Sequence, residues 1–196
     1  MRKPGTIPMI LGLLLILAGG LLLAGNEFLA ARNETAAAET AEAISSLLPP
    51  VRQGIPENFS NPDMPVLELN GPDYCGLLQV PQLGITLPVA ASWQDGDLRA
   101  CPRRYWGSAY DRSLILGGAQ ARGQFDFCSR LDLGYRITFT DMAGNRFSYE
   151  ILRIDRRPEA GPYELTEDDF DLVLFVADSD GSGYIVVRCN LIPGIQ

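Results

Sequence analysis

Residues 7–24, from Ile7 to Ala24, form an unbroken apolar run, and no other feature of the chain restricts its folding as much. A helix rises 1.5 Å per residue, so this run reaches about 27 Å, close to the roughly 30 Å of a bilayer's hydrocarbon core. Arg2 and Lys3 precede it, which favours an N-terminus on the cytoplasmic side and places everything after Asn26 outside. A cleaved signal peptide is the competing reading, because small residues follow at Ala30 and Ala31. Its apolar core is usually about 7–15 residues, and this run is longer, so an uncleaved signal-anchor is expected. A second apolar stretch of spanning length is absent from the sequence, which gives a single pass.

Charge and side-chain inventory narrow the chemistry. With 16 basic and 24 acidic residues the formal net charge is −8, which repels phosphate backbones and excludes nucleic acid as a partner. The sequence has no His, and Lys3 is its one lysine. The usual neutral-pH base and the commonest metal ligand are therefore missing, and the outer part offers no lysine amine. No motif calls for a cofactor. Glu164, Glu167, Asp168, Asp169 and Asp171 form an acidic cluster, and Asp178 to Gly183 resembles a calcium loop in composition. Neither has the spacing of a ligand loop, so a solvated helix start and a strand connection are expected and no metal site is assigned.

The chain divides into residues 1–6 on the cytoplasmic side, an anchor over 7–25, a stalk and linker over 26–73, and a domain over 74–196. Ala- and Glu-rich residues 27–48 favour a helical stalk, with a plain tether as the alternative. Pro49-Pro50 stops any helix, and six prolines in residues 49–73 read as extended linker. From Tyr74 the texture becomes that of short strands. Cys75–Val80, the alternating Leu83, Ile85, Leu87 and Val89, Ser113–Leu116, Tyr135–Thr140, Arg146–Ile154, Leu172–Val176 and Tyr184–Cys189 are strand candidates. Asp141–Asn145 reads as a hairpin turn, and Phe125–Leu131 and the residues after Thr166 as helical turns. Seven or eight short strands in this length predict an all-β barrel or sandwich.

Six pieces of this domain, in order, resemble the sortases. Cys75–Val89 is similar to their opening strands, and Leu98–Ser108 looks like a "C-R-Y-x-G-S" segment of a clostridial-type, class B/D-like group. Leu114–Ala119 falls on "V-I-A-G-H-N", Phe125–Leu131 on their "H-F-G-x-L" turn, and Thr138–Tyr149 on a hairpin "F-T-D-x-x-G-x-x-F-x-Y". Asp171–Cys189 is similar to "D-L-T-L-F-T-C-T-x-x-G-S-x-R-x-V-V-R-C". The resemblance implies a closed or partly closed β-barrel of about eight strands with short helices, preceded by one transmembrane helix. It also implies a surface protein of a Gram-positive bacterium, with secreted or surface proteins, or an active sortase, as partners.

Sortases are cysteine transpeptidases that use a Cys nucleophile, a His and an Arg. The resemblance places Gly118 at the His position, Ala177 at the Cys position and Tyr184 at the Arg position, with Val176 where a Thr usually precedes the Cys. Arg188 matches the family's other Arg. A catalytically silent relative with a binding or accessory role in surface-protein or pilus assembly is therefore expected. The alternative is an active transpeptidase or hydrolase using Cys128, with Arg122 and Arg130 as nearby cations. Four cysteines pair in three ways, and the resemblance favours a bridge between Cys101 and Cys189. Tyr184 beside Gly118 and Ala177 fits either an apolar, uncharged peptide cleft or a filled one.

Overall fold

The computed structural model describes residues 6–54, 63–69, 71–93, 101–158, 165–166, 169–178 and 181–193. Helix α1 (Thr6–Leu47) is continuous over 42 residues and ends two residues before Pro49, where a proline ring forbids further helix. Its two halves meet different surroundings. The apolar window is 0% buried, and Leu15, Leu21 and Leu22 expose 67%, 74% and 76%. So long an uncovered apolar surface is unfavourable in water and suits a lipid environment. In the second half, Ala37, Ala41 and Ile44 recur every three or four residues and are buried, forming one stripe against the domain.

Ten strands follow: β1 (Arg52–Gln53), β2 (Leu67–Glu68), β3 (Asp73–Val80), β4 (Ile85–Ala90), β5 (Arg103–Trp106), β6 (Leu114–Gly118), β7 (Arg136–Asp141), β8 (Asn145–Arg157), β9 (Leu172–Ala177) and β10 (Tyr184–Leu191). Eight of them close a barrel in the order β3-β4-β5-β6-β9-β10-β8-β7, with β7 returning to β3. This is the all-β, eight-stranded architecture expected from the sequence. Two 3-10 turns, Pro81–Leu83 and Phe125–Arg130, supply helical content after the long helix. The turn expected after Thr166 runs into residues 167–168, outside the described residues. β1 and β2, inside the stretch read as linker, add short ladders to β8 and β3.

β5 was not among the strand candidates, because Arg103-Arg104 breaks the apolar pattern. Both arginines turn back onto the segment after β4. Arg103 donates through Nη1 to the Ser92 carbonyl at 3.0 Å, and Arg104 through Nε to the Ala91 carbonyl at 3.0 Å. Arg103 is 2% exposed, so a residue type that normally marks a surface is here part of the wall.

Three apolar layers stabilise the barrel. Leu78, Val89, Leu116, Phe139, Leu174 and Val187 fill its interior. Outside, Tyr74, Leu77, Ala90 and Cys101 pack under Ala41 and Ile44 of α1. On another outer face Ile115, Val173, Phe175 and Val186 are covered by Leu165, Trp93 and Tyr105. β6, β9 and the Ile185–Val187 part of β10 are thus buried on both faces, which explains their apolar runs.

The β7–β8 turn is held by a buried carboxylate. Asp141 is 0% exposed. Its Oδ1 accepts from the backbone N–H groups of Ala143 and Asn145, each at 2.8 Å, and its Oδ2 from Asn145 Nδ2 at 2.8 Å and from the Tyr110 hydroxyl. Asp141→Ala leaves these donors without their acceptor, and a loss of about 3 kcal/mol or more in unfolding free energy is expected. Tyr110→Phe, which removes one donor, is expected to cost about 1 kcal/mol. Denaturant titration of the detergent-solubilised chain, followed by tryptophan fluorescence, checks both.

Candidate functional site

Strand register decides where the sequence-predicted site residues meet. The parallel pairing of β6 with β9 sets Gly118 opposite Val176. The antiparallel pairing of β9 with β10 sets Ala177 opposite Tyr184. Gly118, Ala177 and Tyr184 therefore gather at one end of three adjacent strands. They do not all face the same way. Leu174 and Val176 point into the barrel while Val173 and Phe175 point out, so Ala177 and Tyr184 share the outward face. Gly118, in step with Leu116, faces inward.

Both faces at this point are occupied. A β-carbon on Gly118 would lie 2.7 Å from Cγ and 2.8 Å from Cδ2 of Phe125, whose ring fills the space that a side chain would need. A β-carbon on the outward-facing Gly117 would lie 2.5 Å from Cζ3 of Trp93 and 2.6 Å from Cζ of Phe175. Trp93, Tyr105 and Phe175 form a contiguous aromatic layer, with centroid separations of 5.0 Å (Trp93–Tyr105), 5.5 Å (Trp93–Phe175) and 5.3 Å (Tyr105–Phe175). Tyr184 joins its edge, 6.4 Å from Phe175. The space beside Gly117 and Gly118 is filled, while Ala177 is exposed and Tyr184 half-buried on the outward face. Open space lies to either side of Trp106, which is 66% exposed. One groove, of about 500 Å³, runs past Ser92, Trp93, Arg104 and Asp111. The other, of about 320 Å³, runs past Arg112, Ile115, Thr166 and Phe170.

The thiols lie elsewhere. Cys128 sits in the 3-10 turn, 2% exposed inside the barrel. Burial pushes its pKa upward, and the Asp126 carboxylate pushes the same way. The nearby arginines are engaged with acids: Arg122 with Glu27 at 3.2 Å and Arg130 with Asp126 at 3.8 Å. Such a thiol is held as S–H, the unreactive form. The expected bridge between Cys101 and Cys189 is corrected, because all four cysteines are free. Cys101, in the bend before β5, packs outside the wall under α1, and Cys189 packs inside it. Burial, then the Cys128 thiol, raise the pKa of Cys189, and burial pushes Cys75 up to about 12.

Other candidates have structural partners. Arg188, 0% exposed, pairs through Nη1 with Asp155 at 2.6 Å, and Asp155 also takes Arg153 Nε at 2.8 Å. Asp171 accepts the Leu191 backbone N–H at 2.7 Å, and Asp178 takes Arg156 Nε at 2.9 Å. Glu164, Glu167 and Asp168 lie outside the described residues. Among the described residues no three His, Cys, Asp or Glu side chains converge as a metal site would require.

Solved structures with this architecture agree on one family. Sortase C from Clostridium perfringens SM101 aligns with a TM-score of 0.52 at 16% identity, over 64% of this chain and 73% of that one. Sortase C1 from Streptococcus agalactiae aligns with a TM-score of 0.52 at 19% identity, over 61% of this chain and 67% of that one. The fold is a sortase fold. A Clostridium perfringens sortase D5 transpeptidase aligns likewise, with a TM-score of 0.51 at 16% identity, over 64% of this chain and 83% of that one. No protein-family profile matches the chain, and no curated protein matches it. At such identities the likeness establishes the sortase fold and leaves the chemistry to the residues. Phe125, Trp93 and Tyr105, which decide the space at this end of the sortase fold, were missed as site residues. The Gly117-Gly118 pair was the available signal, since adjacent glycines in a strand admit a close neighbour on each face.

Two outcomes follow from this packing. Gly118→Ala is expected to cost about 1–3 kcal/mol by overpacking against Phe125. Phe125→Leu in the same chain is expected to recover part of that loss, so the double-mutant cycle shows a coupling of about 1 kcal/mol. For the thiols, thiol reagent added to the folded chain without reductant is expected to react slowly, and after denaturation to count all four. A count of two would restore a disulfide. Because the folded state holds Cys75 as the neutral thiol, its contribution to stability is complete below its ordinary value of 9.0. It is lost as pH climbs from there toward about 12, so the denaturation midpoint is expected to fall on that side only.

Proposed function

We propose that this chain is a membrane-anchored, outward-facing protein of sortase fold that binds extended segments of secreted surface proteins or pilins without cutting them. The anchor is the apolar half of α1, with Arg2 and Lys3 inside. The reading rests on one observation: the end of β6, β9 and β10 carries Gly118, Ala177 and Tyr184, with Phe125 and Trp93 filling the adjoining space. Covalent transfer there needs a thiolate, a general acid or base and an oxyanion donor in mutual reach. Loss of a nucleophile or base in related covalent machinery costs on the order of a million-fold in turnover. Binding requires none of these groups. Trp106 between its two grooves offers an exposed aromatic anchor, of the kind that contributes most to weak peptide interfaces.

The test is incubation of the full chain, in detergent or nanodiscs, with a library of sorting-signal and pilin peptides, scoring binding and cleavage separately. Saturable binding is expected, weakened about tenfold by Trp106→Ala, with no cleavage above the uncatalysed rate. A covalent acyl adduct, or cleavage abolished by Cys128→Ala, would overturn the reading in favour of an enzyme. Absence of binding to every peptide would remove the peptide-binding role.

A further inference from the structure

We propose that α1 does not lift the barrel clear of the membrane but holds it close to the lipid surface, with the Arg122 side chain reaching into the headgroup layer. The inference rests on the reading of the apolar run as a membrane anchor. That run ends at Ala24, and Glu27 stands three residues further along the same unbroken helix. Three residues of helix rise only about 4.5 Å, less than the headgroup layer that brings a bilayer from about 30 to about 40–45 Å. At this height a side chain of the barrel already meets the helix. Arg122 Nη1 lies 3.2 Å from Glu27 Oε2. One residue on, Gly123 abuts the helix backbone about 10 Å further along: a β-carbon there would lie 2.7 Å from Cα of Glu34, so the Arg122 side chain extends back down the helix toward the lipid. Gly123 also has φ +72°, so both its conformation and the approach require glycine.

From there contact continues up the helix. Ala37, Ala41 and Ile44 are buried against the domain, and past the helix end a β-carbon on Gly144 would lie 3.0 Å from the Pro49 carbonyl oxygen. The barrel therefore lies lengthwise along residues 34–47, a span of about 20 Å, with the Arg122 side chain reaching below it. Residues 119–124 are its lipid-side end, and the β7–β8 turn, residues 142–144, is its far end. The pair between Arg122 and Glu27 is exposed on both sides, 55% and 67%, and contributes little to holding the two bodies together. The buried stripe of small residues does that, and the pair marks the height. At that height the Arg122 guanidinium is placed to donate to lipid phosphates. With a chain of net charge −8, helix packing rather than attraction to anionic lipid sets the position.

The experiment uses the full chain in mixed phosphatidylcholine and phosphatidylglycerol vesicles. An environment-sensitive fluorophore is attached at Leu14→Cys, Ala121→Cys or Ala143→Cys, and the parent chain taken through the same labelling gives the background. Quenching is read with nitroxides placed at the headgroup or in mid-chain. The label at position 14 is expected to be quenched from mid-chain, and the label at 121 to be quenched by headgroup nitroxide at least about twofold more than the label at 143. Quenching at 14 with equal response at 121 and 143 would overturn the close placement while leaving the anchor intact. Absence of quenching at 14 would overturn the anchor reading, and the close placement with it. Ala41→Glu, placed in the helix–barrel contact, is expected to bring the response at 121 down to that at 143 without changing that at 14. Unchanged quenching at 121 in this variant would overturn the role of the packed stripe.

Discussion

The pairing of β9 between a parallel neighbour, β6, and an antiparallel one, β10, is the constraint on which the rest of the domain depends. β6 and β9 are apolar on both sides, and β10 is so as far as Val187, because the barrel interior covers one face and an aromatic layer the other. Register is tightly specified under such conditions, since a shift by one residue would exchange the inward and outward sets. Leu174 and Val176 would lose the interior, and Phe175 would lose Trp93 and Tyr105. The same register that stabilises the wall carries Gly118, Ala177 and Tyr184 to a common end.

What stands at that end is packing. Gly118 is covered by Phe125 and Gly117 by Trp93, so small residues are exchanged for close-fitting aromatic rings on both sides of one strand. Protein interiors are close-packed, and a side chain added at such a point has no room without movement of its neighbours. A larger side chain at Gly118 would therefore need Phe125 to move. The sulfur atoms are placed by the same logic of burial, three of them within the interior cluster and each held as a neutral thiol by the low-dielectric surroundings.

Helix α1 serves two solvents. Its first half presents large aliphatic side chains all round, and its second half presents one stripe of Ala37, Ala41 and Ile44 to the barrel. Small side chains let the helix axis come close to the wall, so that Gly123 touches the backbone of Glu34. A stalk that is also a packing partner constrains both distance and orientation, which a flexible linker does not.

Much of this was legible in the chain itself. The apolar run, the period-two segments and the Gly-containing hairpin turn each depend on neighbours in sequence, and the order of six similar segments pointed to the sortase barrel. The strand β5 was not legible, because Arg103 and Arg104 look like surface residues until Ser92 and Ala91 supply carbonyls from a distant loop. The expected bridge between Cys101 and Cys189 is not formed for a related reason: Cys101 packs outside the wall under α1 and Cys189 inside it, a fact of packing that spacing does not carry. The sequence by itself determined the alternation of apolar and polar positions, the long apolar helix and the absence of histidine, since these are properties of the residues taken along the chain. Only the tertiary structure decided that Phe125 and Trp93 fill the space beside Gly118 and Gly117 and that the barrel lies along its own helix. Phe125 reaches Gly118 through the turn between them, Trp93 and α1 meet their partners from far along the chain, and each close contact exists only once folding has brought its two sides together.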